Sequence, residues 1–566
     1  MPLDYQKLTF AYARSIDQGR KNPAHHAVVI VGAGPVGLTC AIDLARQGVR
    51  VVVLDDDDTL STGSRAICFA KRTLEIWDRL GCGERMVGKG VSWNVGKVFF
   101  QDELVYRFNL LEEPGHHRPA FINLQQYYVE GFLYEAASNQ PNIDLRWKNK
   151  VVALEQRDDH AMLTIETPDG RYGLTCDYVV ACDGARSPMR GMLGLKSSGH
   201  TFRDRFLIVD VKMNALASAR FAAERWFWFD PPFHRGQSVL LHMQPDGVWR
   251  IDFQLGWDAD PVAEREPSRV AARVKALLAA SSNADAEFEF EWMSVYTFAC
   301  VRMERFRHGR VLFAGDAAHG VSPFGARGAN SGVQDADNLA WKLRLVLAGK
   351  VPDRLLDSYD EERVYAADEN ILNSTRSTDF ITPKTDISRI FRDAVLKLAR
   401  DHPFARTLVN SGRLSVPATL ATSRLNTADV DRFAGPMRPG AACLDAPIAI
   451  DGKPGWLLDQ LCEEFTLLYF ASGESVSHEF DDLPGSIVPI RIVVVTTDAD
   501  RANMAPRHPI VGAIVAHDIA GLVTRRFDAE PGTAYLVRPD QHVCARWRKF
   551  DAASLHAALA RATCND

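Results

Sequence analysis

Apolar runs four to six residues long recur along this chain, and what lies between them changes character twice. Residues 27–31 and 49–54 are short apolar runs that read as buried strands. Between them Leu38, Ala41, Ile42 and Ala45 recur at helical spacing after Pro35, and Gly48 closes the helix, so the segment reads as one β-α-β unit. A third run, 177–182, ends at Asp183. A fourth, 310–314, precedes a helix with Val333, Ala336, Ala340, Leu343 and Leu347 on one face and Gly349 as its stop. From about 198 to 299 the texture differs: 239–243 and 249–255 alternate and are rich in aromatics, as in antiparallel sheet. Arg250, Asp252 and Gln254 share one face of their strand, which either meets solvent or lines a cavity. After residue 400, Pro403, Pro417, Pro436 and Pro439 punctuate a linker. Strands at 466–470, 490–495 and 534–537 and a helix at 555–561 follow.

This order predicts an α/β fold in which a Rossmann-like domain is discontinuous, at 27–197 and 300–400. A mainly antiparallel β-sheet substrate domain, 198–299, is inserted into it. Residues 1–26 are an N-terminal extension, and 401–566 are a linker and a thioredoxin-like C-terminal domain without C-x-x-C, hence without dithiol chemistry. A length of 566 residues suits several cores. The net charge of −6 argues against nucleic acid as a partner. No apolar run is long enough to span a membrane, and ten scattered cysteines fit a reducing compartment, so a cytoplasmic location is expected. No Cys/His spacing suggests a metal.

The chemistry sits at the strand ends. Gly32-x-Gly34-x-x-Gly37 follows a strand and opens a helix, with Asp55 at the end of the next strand. This is the context a dinucleotide fingerprint requires: glycines for the turn and the pyrophosphate, an acid for the ribose. Far downstream, Gly315-Asp316 ends a buried strand, and Pro323 through Gly332 supplies three glycines, Gly325, Gly328 and Gly332, where a helix follows. Backbone can pass close to a flat ring there, and the helix start favours an anion such as the reduced isoalloxazine. Two such elements point to a flavoprotein. The Asp183–Arg190 turn between them reads as a further contact to the pyrophosphate region, and Arg65 can cross the pyrophosphate or flank the ring.

Gly32-Ala33-Gly34-Pro35-Val36-Gly37, Asp183-Gly184 with Ser187 and Arg190, and Gly315-Asp316 through Asn330 resemble the three signatures of class A flavin-dependent aromatic hydroxylases. Ser64-Arg65-Ala66-Ile67, the 126–130 segment and the 334–343 segment also match family patterns. The branch most similar contains 3-(3-hydroxyphenyl)propionate hydroxylase and the polyketide hydroxylases. The resemblance implies FAD, with Gly32, Gly34 and Gly37 at the pyrophosphate, Asp55 at the ribose, and Arg65 and Gln126 against the cofactor. Asp183 then stabilises its loop, Asp316 holds the ribityl chain, and Pro323 with Gly328, Ala329 and Asn330 lines the isoalloxazine. It further implies NAD(P)H as a transient reductant visiting the same cleft, O2 as co-substrate, and a flavin C4a-hydroperoxide that hydroxylates a phenol ortho or para to its hydroxyl. The setting is aromatic catabolism or, alternatively, polyketide-type secondary metabolism. A homodimer is compatible with the tail.

The substrate cleft is expected between the inserted sheet and Pro323, with His234, His242, Arg250, Asp252, Gln254 and Tyr296 as candidates. In p-hydroxybenzoate hydroxylases a tyrosine network moves the phenol proton; the corresponding Trp226-Phe227-Trp228-Phe229 has no hydroxyl, which leaves the base open. Trp226-x-Trp228-x-Asp230-Pro231 is one residue from the W-x-W-x-I-P motif of flavin-dependent halogenases, but no matching halogenase lysine accompanies it.

Overall fold

The computed structural model describes residues 5–61, 63, 65–214, 221–281, 283–409, 414, 416–461, 463–471, 487–497 and 513–566. Ser64 of the motif above lies outside them. The first of its large sheets runs in the order Arg307–His308, Val311–Phe313, Gly170–Ala181, Ala24–Val31, Val51–Leu54 and Ile143–Arg146. Its centre is parallel, with Val52, Val29, Val179 and Val311 side by side across four strands, all essentially buried. Helices cover such a sheet on both faces, which is why these strands are apolar throughout rather than alternating. Val311–Phe313 pairs with Gly170–Ala181, so the chain re-enters this sheet after the long insertion.

Residues 5–26 are less of an appendage than expected. The first strand begins at Ala24, Phe10 stacks on Trp147 at 4.0 Å, and Tyr5 packs edge-on to Phe132. Apolar rings in an otherwise polar stretch found a groove to fill.

The second sheet is antiparallel at every pairing but one, in the order His319–Gly320, Phe288–Met303, Ser197–Met213, Val248–Leu255, Ser238–Met243, Arg225–Phe229, Val95–Phe100 and Glu103–Asn109. The expected limits of 198–299 therefore miss three strands, Val95–Phe100, Glu103–Asn109 and His319–Gly320. Val95–Phe100 joins in parallel to Arg225–Phe229, satisfying a backbone edge that would otherwise lie open. One face of this sheet, through Val209, Trp249, Ile251 and Phe253, packs on the helix Pro267–Ala280.

The third sheet, seven strands centred on Phe465–Phe470, Ile490–Thr496 and Ala534–Val537, is not a free-standing tail. Trp341, Leu345 and Leu355 share a core with Phe465, Leu467 and Leu536. Beside this core, Arg538 bonds both carboxylate oxygens of Glu362 at 2.6 and 3.1 Å, and Lys342 meets the same carboxylate at 2.7 Å. Burial alone would raise the Glu362 pKa, but the two cations hold it well below the carboxylate range. Among the described residues, no helix is long and apolar enough to cross a membrane.

Candidate active site

The glycine turn is dictated from within. Gly32 has φ +106, and a Cβ there would lie 2.4 Å from the Cys182 carbonyl oxygen; a Cβ on Gly37 would lie 1.9 Å from the Gly32 carbonyl oxygen. Gly34 is different, because a Cβ there would meet nothing within 4 Å. Its absence of side chain answers to no protein neighbour, as expected where a pyrophosphate approaches. The helix Pro35–Arg46 begins with no capping side chain and no acid in its first turn, leaving its N–H groups for an anion. Asp55 accepts from the Ala33 N–H at 2.5 Å and from the Asp57 N–H at 2.9 Å; burial outweighs these bonds and raises its pKa to about 6.

The downstream motif lies directly against the first. Val36 would be struck by a Cβ on either Gly315 (2.9 Å) or Gly332 (2.6 Å). The helix Gly328–Leu347 also starts without a capping side chain or an acid in its first turn. Asp316 is exposed, yet protein crowds its carboxyl enough to raise its pKa, which describes a group on the floor of a cleft. Arg65, exposed, acts electrostatically on Asp57, Glu130 and Asp316 together and so stands between the two strand ends. Beneath the turn, Asp335 accepts from the Gly315 N–H (2.9 Å), His319 Nε2 (2.7 Å) and Arg363 Nε (2.6 Å). Burial opposes ionisation of Asp335, but His319 and Arg363 beside it prevail and lower its pKa.

Two expected contacts are supports instead. Asn330 is buried, and its amide is spent on Ala70 N–H, Thr73 Oγ1 and the carbonyls of Cys68 and Ala326, all at 2.6–2.9 Å. It fixes the ring-side loop and has no capacity left to face a ring. Gln126, at the start of its helix, bonds the Ala66 N–H, Ser61 Oγ and Glu130, and so holds the 61–66 loop. Asp183 accepts from the Met189 N–H at 2.9 Å while its buried Oδ1 has no partner; burial raises its pKa. Gly328 and Ala329 are half-buried at the helix start, and Pro323 is exposed.

On the second sheet, strand alternation brings the polar residues of Arg250, Asp252 and Gln254 to one face, and that face is buried rather than solvated. Cross-strand register places Arg225, His242, Arg250, Asp210 and Trp292 side by side. Arg250 bonds Asp210 through Nε at 2.9 Å, reaches the Arg65 carbonyl at 3.1 Å through Nη1 and lies over Trp292. His242 Nε2 meets Asp252 Oδ2 at 3.2 Å, while His242 Nδ1 and Asp252 Oδ1 are buried without partners. Burial and the nearby Arg225 push His242 down to about 4, so it is neutral near pH 7. Burial opposes ionisation of Asp252, but His242, Arg250 and Arg225 prevail and lower its pKa. Past Phe227, over whose ring the Arg225 guanidinium lies at 5.1 Å, is a cleft walled by Val98, Phe227 and Phe229 of the sheet, Phe324 of the ring-side loop, and Phe380 and Ile381.

The remaining candidates do less. Gln254 accepts from the Ser238 N–H, and His234 bonds the Gln254 carbonyl at 2.6 Å, so both brace strands. Tyr296 is half-buried at 6.2 Å from Trp292. Trp226 and Trp228 belong to the opposite face, packed with Phe99 and Phe233, away from the polar row. Arg225, Asp210, Asp335 and Arg363 were missed as site residues. Asp210 did carry a signal, being a lone acid inside the apolar run 206–211; Arg363, in a long charged helix, carried none.

The open space at Gly34, two uncapped helix starts, the unpartnered Asp183 Oδ1 and the cleft-floor Asp316 together fit a flavin dinucleotide. The FAD binding domain family matches residues 25–374. A flavin-dependent monooxygenase of Mycobacteroides abscessus is 33% identical over 353 residues, 60% of this chain and 71% of its own. The 3-(3-hydroxy-phenyl)propionate/3-hydroxycinnamic acid hydroxylase 2 of Burkholderia vietnamiensis is 28% identical over 541 residues, 94% of this chain and 96% of its own. The crystal structure of the flavin-dependent monooxygenase PieE with FAD and substrate shares the fold, with a TM-score of 0.79 at 22% identity over 96% of this chain and 100% of that one. The chain belongs to the FAD binding domain family and is an FAD-dependent monooxygenase.

Proposed function

We infer that this monooxygenase hydroxylates a phenolic ring at the expense of NAD(P)H and O2. The observation that carries the reading is the buried row Arg225–His242–Asp252–Arg250, set beside an aromatic-walled cleft and bonded through Arg250 to the Arg65 loop. The name of the Burkholderia vietnamiensis relative, a hydroxylase of hydroxyphenyl compounds, supports it.

FAD, when bound, supplies hydride acceptance and activation of O2. Gly32, Gly34 and Gly37 would hold its pyrophosphate, Asp55 and Asp316 its hydroxyl-bearing segments, and Pro323, Gly328 and Ala329 its ring. The chain's own contribution is to the phenol. Asp252 and His242 share a hydrogen bond and each keeps one buried polar atom without a partner, Oδ1 and Nδ1, through which the pair would take the phenol proton. Arg225 and Arg250 favour the phenolate by proximity, as a cation lowers the pKa of a neighbouring acid. The phenylalanine walls exclude water from the reacting ring.

The test is NAD(P)H oxidation by the FAD-loaded protein across a panel of phenols, with hydroxylated product and peroxide both measured. Phenol-stimulated oxidation with product is the expected result. If no phenol accelerates oxidation, the reading fails.

A further inference from the structure

The helix Asp386–Asp401 carries two apolar stripes, and the fold of one chain buries only one of them. The helix starts firmly: the Thr385 hydroxyl accepts from the Ser388 N–H at 3.1 Å, and the Ser388 hydroxyl accepts from the Thr385 N–H at 2.9 Å. Arg392, Val395, Leu396 and Ala399 face inward, and Leu396 and Ala399 join the core of Phe229, Phe324 and Ile381. On the adjoining face Ile387, Ile390, Phe391 and Leu398 are 80, 68, 59 and 39% exposed. Ala394 between them is exposed as well. A lone exposed apolar side chain is ordinary, whereas four large ones along one side of one helix mark a contact surface.

Ile387, Phe391, Ala394 and Leu398 follow one another at intervals of four, three and four residues, the spacing of a seam that packs against another helix. The short helix Pro403–Val409 folds back on this one, with Arg406 donating to the Ala399 and Arg400 carbonyls, and it adds Phe404, 64% exposed. At about 200 Å² for a fully exposed side chain of this size, Phe404 and the four of the stripe leave roughly 600 Å² in water. A standard interface takes about 800 Å² from each partner, about two thirds of it apolar in homodimers. The stripe therefore supplies the apolar share of one such interface.

The charges beside the stripe select the occupant. Asp386, Arg389, Asp393, Lys397 and Arg400 run along one edge of it, with both signs interspersed. An anionic membrane draws helices whose polar side is basic, and this edge is not. It is instead complementary to itself. In an antiparallel pair about a two-fold axis, the register that sets Ile387 against Leu398 of a second copy also sets Phe391 against Ala394, a large side chain against a small one. The same register brings Asp386 of each copy alongside Lys397 of the other. We propose that this helix is the self-association face of the enzyme, and that two copies pair antiparallel through Ile387, Ile390, Phe391, Ala394 and Leu398. The homodimer then forms at this helix and not through the C-terminal tail.

Sedimentation velocity of the full-length, FAD-loaded protein between about 1 and 50 µM reads the pairing directly, since association follows mass action. A species of twice the 62.9 kDa of one chain is expected. A monomer at the highest concentration overturns the proposal. So does a species that keeps growing beyond the dimer, because a two-fold contact closes on itself. A monomer that floats with vesicles of phosphatidylcholine and phosphatidylglycerol would assign the stripe to a lipid surface and also overturns it.

Phe391→Glu puts a charge in the middle of the seam and should raise the dissociation constant at least 100-fold. Its flavin content and far-ultraviolet circular dichroism should match the wild type, because the position is exposed in the single chain. A dimer that this variant leaves intact lies elsewhere and refutes the assignment. The register has its own test, in two variants that keep the surface apolar. Phe391→Ala should weaken pairing at least tenfold, and adding Ala394→Phe, which exchanges the large and small positions, should restore it to within threefold. A double variant no tighter than Phe391→Ala alone would overturn the antiparallel register.

Discussion

Around the Gly32–Gly37 turn, backbone approaches backbone so closely that a single added carbon would strike a carbonyl oxygen at 2.4 or 1.9 Å. Across the cleft, Arg225, His242, Arg250 and Asp252 are demanded by nothing in their own strands. Each is held by a residue from another strand or loop: Asp210, Asp252, Cys68, the Arg65 carbonyl. The cofactor wall is therefore a matter of main-chain geometry with almost no freedom of residue type. The substrate wall is a set of side chains hung on a regular sheet. A flavoprotein built this way can change what it oxidises without disturbing what it oxidises with.

The comparison can be broken first at the support beneath the cofactor wall. Asp335→Ala strands Arg363 and frees the Gly315 N–H, and losing one member of a buried ion pair costs about 3–5 kcal/mol. Thermal unfolding should show a large drop with and without FAD; an unchanged midpoint would mean the turn is held by other means. Gly37→Ala forces the helix off the turn at about 3 kcal/mol, the upper end of overpacking costs, and the protein should purify nearly free of flavin absorbance.

Asp252→Asn should give the opposite signature. Flavin content stays at the wild-type level while phenol-stimulated turnover falls about 100-fold, a usual cost of losing a general base. If this variant lost its flavin instead, the two walls would not be separable.

The smallest effect concerns pH. His242, at about 4, lies below the value near 6.5 of an unstructured histidine. As pH falls, the unfolded chain takes up that proton first. The stability His242 contributes is thus complete above about pH 6.5 and lost as pH falls toward 4. His242→Gln should flatten the unfolding midpoint between pH 6.5 and 4.5 by about 2 °C, after allowance for its lower starting value.

Legibility follows the same division. The strand–turn–helix at residue 32, the re-entry of the chain near 310 and the sharing of one face by Arg250, Asp252 and Gln254 were all readable, because each is a local period or a local steric demand. Whether that shared face met water or a cavity was not. Neither was the recruitment of Val95–Phe100, since strand pairing depends on which edge is left open in the assembled sheet. Asn330 and Gln126 were recognisable as motif residues, yet their amides turn inward to Cys68, Ala70 and Ala66, partners 60 or more residues away in sequence.

Local composition was thus sufficient for the flavin dinucleotide, the order of the elements and the character of the inserted sheet. Glycine spacing and apolar period act within one turn or one strand. The composition of the polar row on the second sheet, the support of Asp335 beneath Gly315 and the union of the C-terminal sheet with Trp341 and Glu362 belong to the fold. They depend on side chains meeting across strands and helices far apart in the chain, and a period along one element says nothing of what stands opposite it.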